Sequence, residues 1–211
     1  LLDVVVRDDT GDAVVSTDKV TVSFSPLSLL AGDAAVTAVN ELVFDKPRIN
    51  LIRRPEGKWN VEAILERTRS GESAFSGKIS MVNGVVAVKT GEAGWTFDNI
   101  NGSLNFVHKP DIALNISANY GAAPLELSGR VNQQGSSYLE LKAASLALDD
   151  LNPLIRAQYP QLQTPSGKIT GLDVSLSFNK GIVSYAGEAR LDGIGFDLAG
   201  ASVRDVKGFV I

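Results

Sequence analysis

Alternation of apolar and polar residues over residues 112–131 most limits what this chain can fold into. Ile112, Leu114, Ile116 and Ala118 fall in one phase, and Ala113, Asn115 and Ser117 in the other. Leu125, Leu127 and Val131 then resume the apolar phase against Glu126, Ser128 and Arg130. A helix would scatter such residues around its circumference, whereas a strand places them on one side. Asn119-Tyr120-Gly121 and Pro124 supply turn chemistry between the two runs. The stretch therefore reads as an antiparallel meander with one apolar and one polar face. The purpose of that apolar face is the functional question.

Most of the chain carries the same pattern. Residues 4–24 read as two or three short strands around a turn at residues 8–12. Ser25 and Pro26 suit the N-cap and first position of a short helix over residues 26–31, stopped by Gly32. Strands are expected at 35–44 and 48–53, with Pro47 between them. Asn60 is placed to cap a helix over 61–67. The polar run 67–73 marks the best internal boundary, between an N-terminal part, 1–67, and a continuing β-region, 68–211. Beyond it, Asn83-Gly84 is read as a hairpin turn, and a second break is expected near 99–102. A strand over 137–148 leads to Asp149 and Asp150, read as N-cap and first-turn charge of a short helix closed by Pro160. Strands follow at 167–178, 182–191, 195–199 and 203–211. Two short echoes recur. Ser76-Gly77-Lys78-Ile79-Ser80 resembles Ser166-Gly167-Lys168-Ile169-Thr170, and Asp98-Asn99-Ile100-Asn101-Gly102 resembles Arg204-Asp205-Val206-Lys207-Gly208.

Composition narrows the functional classes. The net charge of −4, from 20 basic and 24 acidic residues, gives no support for nucleic-acid binding. The chain has no cysteine, which excludes disulfides and Cys-ligated metal centres. No apolar run is long enough for a membrane-spanning helix, and no signal peptide is visible. Both ends, LLDVVV and VKGFVI, are strand-like, so the chain is read as a piece of a longer protein. His108, the single histidine, lies beside a turn without the partners that a triad or a multi-histidine metal site needs. Asp8, Asp9 and Asp12 share a loop whose spacing is not that of an EF-hand. Arg53, Arg54 and Lys58 form a small basic cluster, read as a solvated turn or a contact for anionic headgroups. No catalytic residue, cofactor or metal is expected, and an enzyme is the least favoured class.

The apolar phase remains as the candidate site: Leu104, Phe106, Ile112, Leu114, Ile116, Leu125, Leu127, Leu139, Leu141, Leu172, Val174, Leu176 and Phe178. Such a face either fills the core of a closed β-sandwich or lines an open groove. Few helices are available to cover the sheet, and large aromatics are scarce in the central strands. Both features favour the groove, which would suit acyl chains.

Pro47, Ile49, Leu51, Gly57, Trp59 and Asn60, in PRINLIRRPEGKWN, resemble a segment near the start of AsmA-like and TamB-like proteins. The preceding FSPLSLLAGDAAVTAVNELVFDKP and the later SGKISMVNGVVAV and LDDLNPLIRAQYP are similar to other parts of that family. The resemblance implies an elongated, taco-like antiparallel β-groove with an apolar concave face. It further implies conduction of phospholipids, by their acyl chains, across the bacterial periplasm within an inner-membrane-anchored protein, or alternatively within a plastid envelope. For TamB-like members it adds a BamA-like outer-membrane barrel as partner. Assembly of outer-membrane proteins by β-augmentation is the alternative function, and a closed sandwich binding module is the third.

Overall fold

The computed structural model describes residues 1–30, 37–62, 75–91, 93–132, 135–159, 161–179, 182–198 and 201–211. Twelve strands form one sheet: β1 Leu2–Arg7, β2 Ala13–Phe24, β3 Val39–Asp45, β4 Arg48–Arg53, β5 Lys78–Thr90, β6 Ala93–Asn105, β7 Asp111–Tyr120, β8 Ala123–Asn132, β9 Ser137–Ala147, β10 Leu162–Asn179, β11 Ile182–Leu198 and β12 Ala201–Val210. Two short helices, α1 (Pro26–Leu30) and α2 (Asn152–Gln158), accompany them. The expectation of an all-β chain with few helices is met. All twelve strands share one sheet, so a sandwich of two sheets does not form among the described residues.

The order is a meander from β5 to β12, every pair antiparallel. At the other end β5 is shared, its first half pairing in parallel with β3 and its second half with β4. β4 also touches β2. Strands on both sides of the expected 67/68 boundary thus belong to one sheet, while the boundary itself lies outside the described residues. So does most of the helix expected over 61–67. Asn60, expected to cap that helix, is buried instead against β4. Its Oδ1 accepts from the Ile52 amide at 2.9 Å and its Nδ2 donates to the Asn50 carbonyl at 2.9 Å. The side chain thereby satisfies strand backbone groups that no neighbouring strand reaches.

The two hairpins expected at 83–84 and 99–102 are a single hairpin of two long strands. Asn83 (φ 54°) and Asn99 (φ 48°) are left-handed residues inside β5 and β6, and the pairing register shifts at both places. These are β-bulges, which add one residue and bend the strand. Asn tolerates the left-handed region better than other L-residues, and the Asn83 amide donates to Asn101 Oδ1 at 3.0 Å across the strands. The bulge explains a change of phase that looked like a turn. Ile79 and Met81 carry the apolar side before it, Val86 and Val88 after it, and the extra residue keeps both pairs on one face. Pro47, Gly84 and Ile100 are buried where the bulges meet. Similarly, the strands expected at 182–191 and 195–199 are one strand with a register shift at Gly193 (φ 63°). The second sequence echo has a structural content, since Asn99 and Asp205 (φ 54°) occupy its equivalent position and both are left-handed.

Other local expectations divide. The Ser25 hydroxyl accepts from the Ser28 amide at 3.3 Å, as an N-cap should. Strand β3 begins at Val39, later than the expected residue 35, and residues 31–36 lie outside the described residues. Pro124, expected in a turn, is a β8 residue opposite Asn119. The two-residue turn is Gly121-Ala122 instead. Neither Asp149 nor Asp150 caps α2. Leu151 is the N-cap and makes no side-chain cap bond. Pro160, expected to close this helix, lies outside the described residues. The acidic loop at 8–12 is filled by protein. Asp8 accepts from the amides of Thr10 and Asp12, and Arg54 reaches Asp8 Oδ2 at 2.7 Å. Burial would raise the Asp8 pKa, but the Thr10 hydroxyl, these amides and Arg54 hold it below its ordinary value. The Arg54 cation is thus an internal tie and not a free headgroup contact.

A second carboxylate ties the C-terminal edge together. Asp197 on β11 accepts from Ser202 at 2.5 Å, from the Thr164 hydroxyl and from Arg204 at 2.7 Å, joining β10, β11 and β12. These donors lower its pKa from the ordinary 3.8 to about 2. A carboxylate with a depressed folded-state pKa stabilises above its unfolded pKa and loses that contribution as pH falls through the folded one. We expect this edge to loosen between about pH 4 and about pH 2. Hydrogen exchange of β12 amides across that window, in wild type and Asp197→Asn, measures it. A pH dependence of the same size in the variant would show that Asp197 is not responsible.

Candidate functional site

Residues directly opposite each other in a β-ladder share a face, so the register shows what the sheet brings together. Leu104 pairs with Leu114, Leu114 with Gly129, Gly129 with Leu139, Leu139 with Leu176, and Leu176 with Tyr185. The adjacent row runs Gly102, Ile116, Leu127, Leu141, Val174 and Gly187. A third runs Ala118, Leu125, Ala143 and Leu172. Ile112 faces Val131, and Phe178 faces Val183, on the same side. Twelve of the thirteen expected residues therefore lie on one face across five strands. Phe106 lies just past the end of β6, edge-on to Phe75 with ring centroids 5.6 Å apart. The face extends further, through Ile79 and Met81 to Leu42 and Phe44.

The opposite face is hydrophilic. Ser80, Ser103, Asn115, Ser128, Glu140 and Ser175 form one cross-strand row. Beside it Lys142 lies 3.4 Å from Asp173 and 3.8 Å from Glu140. The Asp173 carboxylate, with Glu140 adding to it, raises the Lys142 pKa.

Burial separates a lining from a core. Of the thirteen, only Ile112 is buried, at 9% exposure; Phe178 is exposed at 38%, and the rest are partly buried. The inner face of a closed sandwich would be buried throughout. Burial concentrates at one end of the strands, where Ala123, Ala143 and Leu146 pack with Leu125, Leu151, Ile169 and Leu172. Leu151 begins α2, which packs against β6 and β10. The Tyr120 hydroxyl donates to the Asp150 carbonyl at 2.7 Å and anchors that segment. Burial, with the Asp150 charge, raises the Tyr120 pKa.

Toward β12 the face opens into a cleft of about 420 Å³ lined by Leu172, Val174, Tyr185, Gly187, Ala189 and Val210. Tyr185, 81% exposed, was not among the expected residues. The signal was present, since Val183, Tyr185, Gly187 and Ala189 keep the apolar phase of that strand. Among the described residues no cluster of His, Asp or Glu is placed to hold a metal. No described helix is long and apolar enough to cross a membrane. The site offers apolar area and shape. Comparison with family models, with curated proteins and with solved structures finds no match.

Proposed function

We propose that the chain is a segment of a bridge-like lipid carrier of the AsmA-like and TamB-like kind, conducting phospholipids between membranes. One observation carries this reading: a continuous apolar face that remains partly exposed on a sheet whose other face is polar. Acyl chains lie across the strands along the leucine rows, and headgroups stay in water. Each methylene removed from water contributes about 0.8 kcal/mol, so a dozen half-covered methylenes contribute roughly 5 kcal/mol before ordering costs. The bulges in β5, β6 and β11 support a sheet bent into a trough. Movement along such a face needs no covalent step. In this reading the protein works in the periplasm as part of an inner-membrane-anchored chain, and a BamA-like barrel would be met by other regions.

A second reading is strand delivery by β-augmentation, in which a client strand pairs with an exposed sheet edge. In-cell photocrosslinking separates the two. A probe at Leu114 is expected to capture phospholipid while one at Asn115, on the polar face, captures none. Capture of protein at Ser184 with no lipid at Leu114 would replace the first reading by the second.

A further inference from the structure

We propose that the segment from Leu148 to Ile155 is a strap across part of the lipid face, with Leu151 standing where an acyl chain would lie, and that the strap lifts as lipid loads. The proposal rests on the lipid-carrier reading and adds a conformational step to it.

Strap and acyl chain claim the same surface. Leu151 packs on the cluster of Ala123, Ala143 and Leu146, together with Leu125, Ile169 and Leu172. Leu125, Ala143 and Leu172 are the third cross-strand row of the apolar face. The neighbouring row of Leu127, Leu141 and Val174 carries no such cover and stays partly exposed, whereas Ala143 and Leu146 are buried. Beyond Leu151 the segment turns into α2, which packs against β6 and β10, the strands on either side of β7 to β9.

The strap is lightly held. Among the described residues, 149–156 are joined to the strands by one hydrogen bond, from the Tyr120 hydroxyl to the Asp150 carbonyl at 2.7 Å. Other backbone bonds of the segment close on itself, from the Asn152 amide to the Asp149 carbonyl at 3.2 Å and from the Ile155 amide to the Leu151 carbonyl at 2.9 Å. Helix α2 has seven residues, and Leu151 at its N-cap makes no side-chain cap bond. A helix this short does not hold its shape in water without its tertiary contacts. Asn152 Oδ1 is buried without a hydrogen-bond partner in the protein, a desolvation penalty that lifting removes. What keeps the strap down is therefore mainly the apolar contact of Leu151, and an acyl chain on Leu125 and Leu172 supplies the same contact. Lipid shifts the balance between the two states by covering the row only in the lifted one.

A disulfide can hold the strap down. A Cβ built on Gly121 stands 3.0 Å from Asp150 Cγ, the separation between a side-chain carbon and the far sulfur of a disulfide. The chain has no cysteine of its own, so Gly121→Cys with Asp150→Cys forms one defined bridge, and the reduced protein is its own reference. Loading is measured from phosphatidylcholine vesicles that carry an acyl-labelled fluorescent phosphatidylcholine. Oxidation is expected to lower loading about tenfold, and dithiothreitol to restore it. Tyr120→Phe keeps the ring against Phe97 and removes the tie to Asp150, so it is expected to raise loading about fivefold. Leu151→Ala is expected to raise it as well. In wild type, hydrogen exchange at the Asn152 and Ile155 amides is expected to quicken on lipid uptake. Equal loading of the oxidised and reduced protein overturns the strap, and so does exchange that lipid leaves unaltered. Unchanged or lower loading in Tyr120→Phe and Leu151→Ala would make the segment a support of the face and overturns the proposal too. Absence of loading in wild type and in every variant overturns the lipid-carrier reading itself.

Discussion

Gly129→Ala is expected to destabilise the sheet by about 3 kcal/mol or more, a large part of what holds an ordinary domain folded. Gly129 sits mid-strand on the apolar face with φ 143°, a region that L-residues rarely adopt. A Cβ there would collide with the Tyr138 carbonyl oxygen and come within 2.9 Å of Leu139 Cα, both backbone atoms that cannot rotate away. Strand β8 would have to part from β9, breaking the leucine row at its centre. Gly94→Ala is the control, because its Cβ would meet only the Val88 carbonyl at an ordinary 3.5 Å. That variant should stay within about 0.5 kcal/mol of wild type beyond strand propensity. Urea unfolding of the two variants decides the point, and equal losses would remove the steric explanation.

Leu127→Asp is expected to abolish lipid capture at Leu114 while leaving a folded protein. Leu127 lies between Ile116 and Leu141 in the central row and is partly buried. On an open face the new carboxylate reaches water, and the loss is the side chain's own burial, about 1–3 kcal/mol. Within a closed core the same carboxylate would be stranded without a partner, at a cost large enough to unfold the domain. Thermal unfolding followed by circular dichroism, beside the crosslinking yield, reads both quantities. Loss of the fold would reject the open face, and retained lipid capture in a folded variant would reject the leucine row as the path.

The candidate site was legible because alternation is a local property. Leu114 and Ile116 share a face whatever their neighbours do, and twelve of the thirteen residues chosen that way meet on one side of the sheet. The hairpins were misread for a related reason. Asn83-Gly84 interrupts the alternation, and an interruption of phase is satisfied equally by a turn or by an added residue within the strand. The deciding fact is non-local: β6 carries a matching bulge at Asn99, and Asn101 bonds across to the Asn83 amide. Asp8 and Arg54 pose the same difficulty, since 46 residues separate them and neither sequence context signals the other.

By itself the sequence determined that the chain is built of strands, which side chains share a side, and that one side is apolar. These follow from the two-residue period of the extended backbone. The tertiary structure decided the strand order with β5 shared by β3 and β4, the bulges that keep both halves of β5 and β6 in phase, and the sealing of one end by α2. It also decided that the leucine rows stay partly exposed. Each of these depends on which distant segment supplies a partner for a strand edge, a bulge or an apolar surface, and the period of a single strand carries no record of that choice.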